Sequence, residues 1–292
     1  MKNRSKIAII GLGLIGGSVL KALAPKNLDL IGISRNQQTL DKALSQNLAA
    51  EVSDNVELVR DADVVFICTP INSTLETIDN VRKIVSPQCI ITDVASIKGF
   101  VMDYVNDYNY PTNFIGGHPM AGTEFSGFDS SFDTLFEGAK WVLTPSRWSG
   151  SEDIRQLEEL IALMGAKTIV ADPYEHDMAV SLISHLPLML SQGLFGLVEE
   201  YPDKNISELA KKLASSGFRD VTRLAATNPE LSRDILIKNK PNIRKSLSEF
   251  KDFLSGLEEL LESDEEKFIK KINDFSEKRR EMYSAEGKNK LF

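Results

Sequence analysis

The histidines of this 292-residue chain are the first candidates for chemistry, because there are only three of them. His118 lies in FIGGHPMAGTEFSG, residues 114–127, directly after two glycines and before Pro119. Imidazole titrates near neutral pH and can accept a proton there, and glycine lets backbone approach a ligand closely. We predict that His118, at the carboxyl end of a strand in a glycine-rich turn, is a general base. An exposed histidine in a surface turn is the ordinary alternative.

A glycine-rich motif near the N-terminus, GLGLIG at residues 11–16, follows the apolar run KIAII and opens a helical pattern. In that context the glycines permit a tight turn, close approach of backbone to a pyrophosphate, and close packing of helix on sheet. The motif therefore predicts a dinucleotide site. The residues expected to bind the cofactor are Gly11, Gly13, Leu14, Ile15 and Gly16, then Ser34 and Arg35 after the second strand, and Thr69 and Pro70 after the third.

The cofactor choice depends on the end of the second strand, where an NAD enzyme carries an acid that binds the ribose hydroxyls. The nearest acid, Asp29, begins that strand and lies about 16 Å from Ser34 at about 3.3 Å per residue. Ser34 and Arg35 occupy the ribose position instead. A hydroxyl and a guanidinium can hold a 2′-phosphate, so we expect NADP.

Short apolar runs recur over the first 171 residues, and amphipathic segments of helical length separate the early ones. Strands that alternate with helices are typical of a parallel sheet covered on both faces. We predict an α/β fold, with an N-terminal Rossmann-type doubly wound sheet followed by an all-α C-terminal domain. The expected strands are residues 6–10, 28–33, 63–68, 89–93, 114–117, 140–144 and 167–171.

The pattern changes at Asp172, which with Pro173 and Glu175 forms a strong helix start. Only helical periodicity follows, so we place the domain boundary at 171: residues 1–171 bind the dinucleotide, and residues 172–292 form a helical substrate-binding and dimerisation domain. The helices are richer in Leu, Phe and Met than one small domain can bury, which predicts a homodimer through residues 172–285. The charged segment from Glu262 is expected to be a solvated helix face.

Ligands of doubly wound sheets bind beyond the carboxyl ends of the strands. Ser96 and His118 follow neighbouring predicted strands, so both are expected to face a bound nicotinamide, with Ser96 orienting His118 by a hydrogen bond. In the helical half, Arg219 and Arg223 are four residues apart on one helix face and form a fork for carboxylates. Asp220 is expected to hold Arg223 in place.

The other two histidines, His176 and His185, are nine residues apart and about half a turn out of phase on a regular helix, so they cannot both face one pocket. His185 lies next to Leu186 and Pro187, and a helical proline frees backbone groups that often line a site. We therefore expect His185 to line the pocket and His176 to be structural.

Composition limits the class of protein. The net charge of −8 argues against a nucleic-acid surface, and neither a secretory leader nor about 18 uninterrupted apolar residues is evident. We expect a cytoplasmic protein that binds neither nucleic acid nor membrane. Cys68 and Cys89 lie in apolar runs and are expected to be inert, with no metal site.

The motifs GLGLIGGS, TDVASIK, GGHPMAGTEFSG, SHLP and LASSGFRDVTR occur in this order. Together they resemble the prephenate and arogenate dehydrogenase family, and the cyanobacterial arogenate-type enzymes are the most similar. The resemblance implies an oxidative decarboxylation of a cyclohexadienol to a phenol, and with NADP as the expected cofactor we predict the conversion of arogenate to tyrosine. It makes His118 the catalytic base and Ser96 its partner, and assigns substrate binding to Arg223, Arg219, His185 and Thr123. Many relatives have tryptophan where this chain has Ser232, which affects recognition of the substrate side chain.

Three alternatives remain at this point. The chain could be a prephenate dehydrogenase that forms 4-hydroxyphenylpyruvate, another NADP dehydrogenase acting on a hydroxy or imino acid, or a non-catalytic module that senses NADP. A catalytic lysine in the helical half would favour the second, and a module without turnover would not need His118.

Overall fold

One eight-stranded sheet organises the first part of the chain. The computed structural model describes residues 5–107, 113–123 and 125–284. The strand order is β3-β2-β1-β4-β5-β6-β7-β8, parallel throughout except for the antiparallel pair β6 and β7. The strands are β1 (Lys6–Ile10), β2 (Asp29–Ile33), β3 (Glu51–Ser53), β4 (Val64–Ile67), β5 (Ile90–Asp93), β6 (Phe114–Pro119), β7 (Lys140–Pro145) and β8 (Lys167–Val170).

The sheet is buried on both faces, which explains why its central strands are continuous apolar runs. In β1, Ile7 and Ile9 belong to one hydrophobic cluster, whereas Ala8 and Ile10 belong to a second cluster on the opposite face. Helices cover both faces: α1 (Leu14–Leu23), α2 (Gln37–Ser45), α3 (Ile71–Arg82), α4 (Gly99–Asn106) and α5 (Ser151–Ala162). The predicted doubly wound sheet is confirmed.

Each of the seven expected strands is present, within one or two residues of its predicted bounds. An eighth strand, β3, was not predicted, because this three-residue strand at the edge of the sheet is too short to show a two-residue periodicity. Cys68 directly follows β4, and Cys89 directly precedes β5. Burial raises the pKa of both thiols, that of Cys89 to about 12.

Helices make up the described chain after β8, as predicted. They are α6 (Pro173–Val180), α7 (Leu186–Glu199), α8 (Lys204–Leu213), α9 (Ser216–Thr222), α10 (Pro229–Lys238), α11 (Lys240–Ser263) and α12 (Glu265–Ser284). The predicted helix start is confirmed, because the Asp172 carboxylate accepts hydrogen bonds from the amides of Tyr174 and Glu175. A π-helical turn, Ser181–His185, lies between α6 and α7.

The segment Pro173–Glu199 is long and apolar enough, by length and composition alone, to cross a membrane. Its most apolar window of 18 residues has a mean hydropathy of 1.4, and only 33% of that window is buried within this chain. The same properties belong to a helix that packs against a partner, and one such helix is weak evidence for a membrane span.

The chain consists of two compact units, and the boundary between them follows Lys240. The second unit contains most of α11 and all of α12, which pack through Phe253 and Phe275 with ring centroids 5.8 Å apart. α12 buries none of its residues, as expected for the charged segment after Glu262. The last part of that segment, residues 285–292, lies outside the described residues.

Candidate active site

The glycine motif joins β1 to α1, and each of its three glycines has a distinct environment. Gly11 has φ of +92°, and a Cβ there would lie 2.7 Å from the Cys68 carbonyl oxygen. A Cβ on Gly16 would lie 2.1 Å from the Gly11 carbonyl oxygen. A Cβ on Gly13 would have no atom within 4 Å. Gly11 and Gly16 therefore permit the turn and the helix packing, while Gly13 leaves the helix N-terminus open to a ligand.

The N-terminus of α1 has the properties of an anion site. Its first residues, Leu14 and Ile15, follow Gly13, which provides no side-chain cap for the free amides. Those amides and the helix dipole favour a negatively charged group.

The adjacent loop after β4 completes this region, because β1 and β4 are neighbours at the point where the strand order reverses. Thr69 lies there, before Pro70, and its Oγ1 is buried without a hydrogen-bond partner among the described residues. A buried hydroxyl without a partner is costly, and a ligand would satisfy it. The residues of both loops thus fit a dinucleotide.

The end of β2 has the arrangement that the sequence predicted. Asp29 is the first residue of β2, and Ser34 follows its last residue. Ser34 Oγ accepts a hydrogen bond from the Asn36 amide at 3.2 Å, while Arg35 is exposed. The Asp29 carboxylate therefore lies at the amino end of β2, whereas the ribose position is at its carboxyl end.

His118 does not lie in a turn, in contrast to the prediction. It is the fifth residue of β6 and pairs with Val142 of β7. A Cβ on Gly116 would lie 2.3 Å from Thr144 Oγ1, and one on Gly117 would lie 2.5 Å from the Asp93 carbonyl oxygen. These two glycines are required by packing within the sheet, and they do not mark a loop.

A buried ion pair fixes the strand at this point. Lys98 Nζ donates to Asp93 Oδ2 at 2.5 Å and to the Gly117 carbonyl oxygen at 2.7 Å, and both charged side chains are 0% exposed. The other carboxylate oxygen of Asp93 accepts from the Gly117 amide at 3.0 Å. Both backbone groups of the residue before His118 are therefore bonded to one buried pair.

His118 and His176 are in direct contact. His118 Nδ1 lies 2.8 Å from His176 Nε2, and His176 Nδ1 lies 2.9 Å from Asp177 Oδ1. The Asp177 carboxylate also accepts from the amides of Lys98 at 2.7 Å and Gly99 at 2.8 Å, at the start of α4. The side chains of these three hydrogen-bonded residues, His118, His176 and Asp177, are all buried.

His185 is joined to the same network through Asn239, although the sequence predicted that His176 and His185 do not both face one pocket. The Asn239 side-chain nitrogen lies 2.9 Å from His185 Nδ1 and donates to the Asp177 carbonyl oxygen at 2.8 Å. That prediction holds for a regular α-helix, in which each residue turns the chain by about 100°. The π-helical turn between the two histidines changes that phase.

Burial keeps the imidazoles of His118 and His185 neutral. Desolvation, and then the neighbouring His176, Lys98 and His185, hold the pKa of His118 well below its usual 6.5. Desolvation also lowers the pKa of His185 to about 4, against the opposing effect of Asp177. His118 therefore carries a free lone pair at neutral pH, as a general base requires.

The partner expected for His118 was Ser96, and the structure gives a different one. Among the described residues His118 bonds to His176, and no hydrogen bond joins it to Ser96. Thr123 is exposed in the loop after β6, where its Oγ1 accepts from the Phe125 amide at 3.2 Å. Glu124 of the same motif lies outside the described residues. The roles of Ser96 and Thr123 stay predictions.

Arg219 and Arg223 are both exposed, and the prediction that Asp220 holds Arg223 in place is wrong. Asp220 Oδ1 accepts from Arg219 Nε at 3.1 Å, whereas Arg223 makes no ion pair among the described residues. Asp220 and Arg219 are adjacent in sequence, and α9 ends at Thr222, one residue before Arg223. Arg223 thus keeps its guanidinium available to a carboxylate. Ser232 is buried on α10, and its Oγ has no partner in the described part of the chain.

Sequence reasoning missed Lys98, Asp177 and Asn239. Lys98 lies in TDVASIK and Asp177 follows His176 directly, so the spacing offered a weak signal for both. No signal in the sequence pointed to Asn239, because only the fold brings the end of α10 against α6.

The strand order and the glycine loop define a Rossmann-type nucleotide-binding protein. Residues 17–170 match the family model for the nucleotide-binding domain of prephenate dehydrogenase, and residues 172–274 match the model for its dimerisation domain. The chain therefore belongs to the prephenate dehydrogenase family, a family of oxidoreductases.

Individual proteins show the same likeness. A prephenate dehydrogenase of Bacillus subtilis is 34% identical over 253 residues, which are 85% of this chain and 67% of that protein. The crystal structure of Synechocystis arogenate dehydrogenase has a TM-score of 0.85 at 36% identity, and the match covers 95% of this chain and 99% of that one. Prephenate dehydrogenase from Aquifex aeolicus, solved with hydroxyphenyl propionate and NAD⁺, has a TM-score of 0.87 at 28% identity, with 95% and 98% covered.

Proposed function

We propose that this protein catalyses the NADP-dependent oxidative decarboxylation of arogenate to tyrosine. The observation that carries the proposal is His118, a buried and neutral imidazole near the carboxyl end of β6, on the same sheet edge as the loops after β1 and β4. A base at this edge can reach the substrate hydroxyl beside a dinucleotide held at the N-terminus of α1.

The reaction removes a hydride from the ring carbon that bears the hydroxyl, and a bound nicotinamide would supply its acceptor. His118 takes the hydroxyl proton as the carbon–oxygen double bond forms. The carbon–carbon bond to the ring carboxylate then breaks, carbon dioxide leaves, and the electron pair enters the ring. His118 returns its proton to the phenolate oxygen, so the residue ends the cycle neutral. Formation of the aromatic ring drives the sequence.

Binding of the substrate carboxylates is assigned to Arg223, with Arg219 as a second contact and His185 and Thr123 at the pocket. Arg223 is exposed and has no carboxylate partner among the described residues, which supports this role. Ser96 is assigned to orient His118. A guanidinium is suited to a carboxylate because its parallel N–H groups match the two oxygens.

NADP is preferred over NAD because Ser34 and Arg35 follow β2 where an NAD enzyme carries an acid. Arg35 is exposed and available to a 2′-phosphate. The Aquifex aeolicus structure contains NAD⁺, so relatives of this fold bind the cofactor without the phosphate. Arogenate is favoured by the likeness to Synechocystis arogenate dehydrogenase, and prephenate is the second candidate because of the Bacillus subtilis relative.

The active unit is proposed to be a cytoplasmic homodimer. α7 and α8 expose Phe195, Leu197, Ile206, Leu209 and Leu213, each at least 43% exposed, and contiguous exposed apolar surface marks an interface. The family model for residues 172–274 describes a dimerisation domain, which also supports the domain boundary at 171. Both cysteines are free thiols, as is usual in reducing compartments.

The test is an absorbance assay for reduced nicotinamide, with arogenate and prephenate each combined with NADP and NAD. We expect the largest kcat/KM with arogenate and NADP. A preference for prephenate would replace the substrate but keep the reaction class. Cofactor binding without turnover of either substrate would favour the sensing module instead.

A further inference from the structure

All three histidines of the chain lie in one hydrogen-bonded network, and the network determines where their protons are. Its fixed end is Asp177, whose carboxylate accepts two backbone amides at the start of α4. An ionised carboxylate has no hydrogen to donate and can only accept. The bond between Asp177 Oδ1 and His176 Nδ1 therefore requires a proton on His176 Nδ1.

The next bond follows from the first. The His176 tautomer with its proton on Nδ1 presents a lone pair at Nε2, which lies 2.8 Å from His118 Nδ1. His118 must then donate from Nδ1 and carry its own lone pair on Nε2. The described residues provide no hydrogen-bond partner for Nε2, so this is the atom left to accept a proton.

His185 has the opposite tautomer. The Asn239 side-chain nitrogen donates to the Asp177 carbonyl oxygen, which fixes the orientation of the amide because a carbonyl cannot donate. The same nitrogen faces His185 Nδ1, so Nδ1 accepts and the proton of His185 is on Nε2.

We propose that His176 and Asp177 are positioning residues that hold the proton of His118 on Nδ1 and so make Nε2 its basic atom. When Nε2 takes a proton, the positive charge is stabilised through His176 by Asp177, whose carboxylate is aligned by the backbone of α4. A His118 with its proton on Nε2 would present a donor to the substrate hydroxyl and could not act as base. This role deepens the proposed function and rests on it, because it assigns to His118 the task of base.

The direct test is nitrogen-15 NMR of the full-length protein labelled in histidine. The chain has three histidines, so three ring systems are observed, and the set missing from His118→Asn identifies His118. We expect Nδ1 protonated in His118 and His176 and Nε2 protonated in His185. A His118 protonated on Nε2, or an even mixture of its tautomers, would overturn the proposal. This readout needs neither substrate nor turnover, so it is independent of the proposed reaction.

The kinetic test uses His176→Asn and His176→Leu. The asparagine amide can replace His176 Nδ1 beside Asp177 but does not reach His118, so the contact to α4 is kept and only the bond to the base is lost. We expect kcat of the asparagine variant to fall by about tenfold to a hundredfold with KM unchanged, and the His118 signals to show both tautomers. The leucine variant loses both bonds and should lose at least as much kcat.

A purely structural role for His176 predicts a different result. The asparagine variant would then keep its kcat, and the leucine variant would lose thermal stability and raise KM together with lowering kcat. A kcat equal to that of the parent protein in the asparagine variant would refute the positioning role. If the parent protein oxidised neither arogenate nor prephenate, the proposed function would fail, while the NMR result would still report the tautomer.

Discussion

Lys98 Nζ donates a hydrogen bond to the carbonyl oxygen of Gly117, at 2.7 Å, in the residue that precedes His118. The same ammonium is paired with Asp93, and neither side chain is exposed. Removing one partner of a buried pair leaves the other charge uncompensated. The strand that carries His118 thus depends on a buried ion pair.

Lys98→Met tests this dependence. We expect the free energy of unfolding to fall by about 3–5 kcal/mol, measured by urea denaturation, because the Asp93 carboxylate stays buried without its cation. Arg155→Met is the control, since Arg155 forms exposed ion pairs with Glu152 and Glu159 on α5, and its midpoint should not change. A loss in Lys98→Met as small as in the control would show that the pair is solvated.

Arg35→Ala tests the cofactor assignment. A charge-assisted contact to the 2′-phosphate is worth roughly 1.5–3 kcal/mol, so the ratio of NADP to NAD affinity should fall by about one to two orders of magnitude. The measurement is titration of both cofactors. Lys83→Ala is a matched control, because it removes an exposed cation directly after the last residue of α3 and not after β2. An unchanged preference in Arg35→Ala would remove the assignment.

His118→Asn separates the base from the binding groups. Loss of a general base removes about 10²–10⁴-fold of rate, so we expect kcat to fall at least about a hundredfold with NADP affinity nearly unchanged. Steady-state kinetics and cofactor titration provide both values. Near-normal turnover in His118→Asn would show that His118 is an ordinary buried histidine and not the base.

Arg223→Ala is expected to raise the KM of the substrate while leaving kcat within a fewfold of the parent, because the guanidinium binds a carboxylate in ground state and transition state alike. Arg155→Ala serves as the control for loss of an exposed guanidinium. If kcat fell and KM did not, Arg223 would act on the transition state and the assignment would change.

The folded protein should be less stable in weak acid. The pKa of His185 is lowered to about 4 in the folded state, from 6.5 when unfolded, so the unfolded state binds more protons between these values. The contribution of His185 to the free energy of unfolding is at its full value above about pH 6.5. It falls by roughly 3 kcal/mol as the pH is lowered towards 4. His118 contributes in the same direction. The share of this pH dependence that is due to His185 is measured from the urea midpoints of the parent protein and of His185→Gln across this pH range. Equal pH dependence in the two proteins would contradict a contribution from His185.

The apolar surface of α7 predicts the oligomeric state. We expect light scattering at micromolar concentration to show a dimer, and Leu197→Glu, at a side chain that is 59% exposed, to shift it towards the monomer. Leu163→Glu replaces an exposed leucine beside α5, on the sheet-containing part of the chain, and should leave the dimer intact. A monomeric parent protein would exclude the dimer altogether.

Local patterns were sufficient for much of the fold. Continuous apolar runs predict strands buried on both faces, and all seven expected strands exist, because burial on both sides favours apolar side chains at residues 7–10, 64–67 and 90–91. The glycine loop was predictable because steric requirements at Gly11 and Gly16 act between residues close in sequence or on the neighbouring strand. The helix start at Asp172 was predictable because capping is local.

The connections between the histidines were decided only by the tertiary structure. A phase argument along a regular helix separates His176 from His185, and a π-helical turn, which sequence periodicity does not show, removes that separation. His176 meets His118 because α6 packs beside the end of β6, and Asp220 pairs with Arg219 because α9 ends before Arg223. Sequence names the groups that can exchange protons, whereas the packing of elements far apart in the chain determines which of them touch.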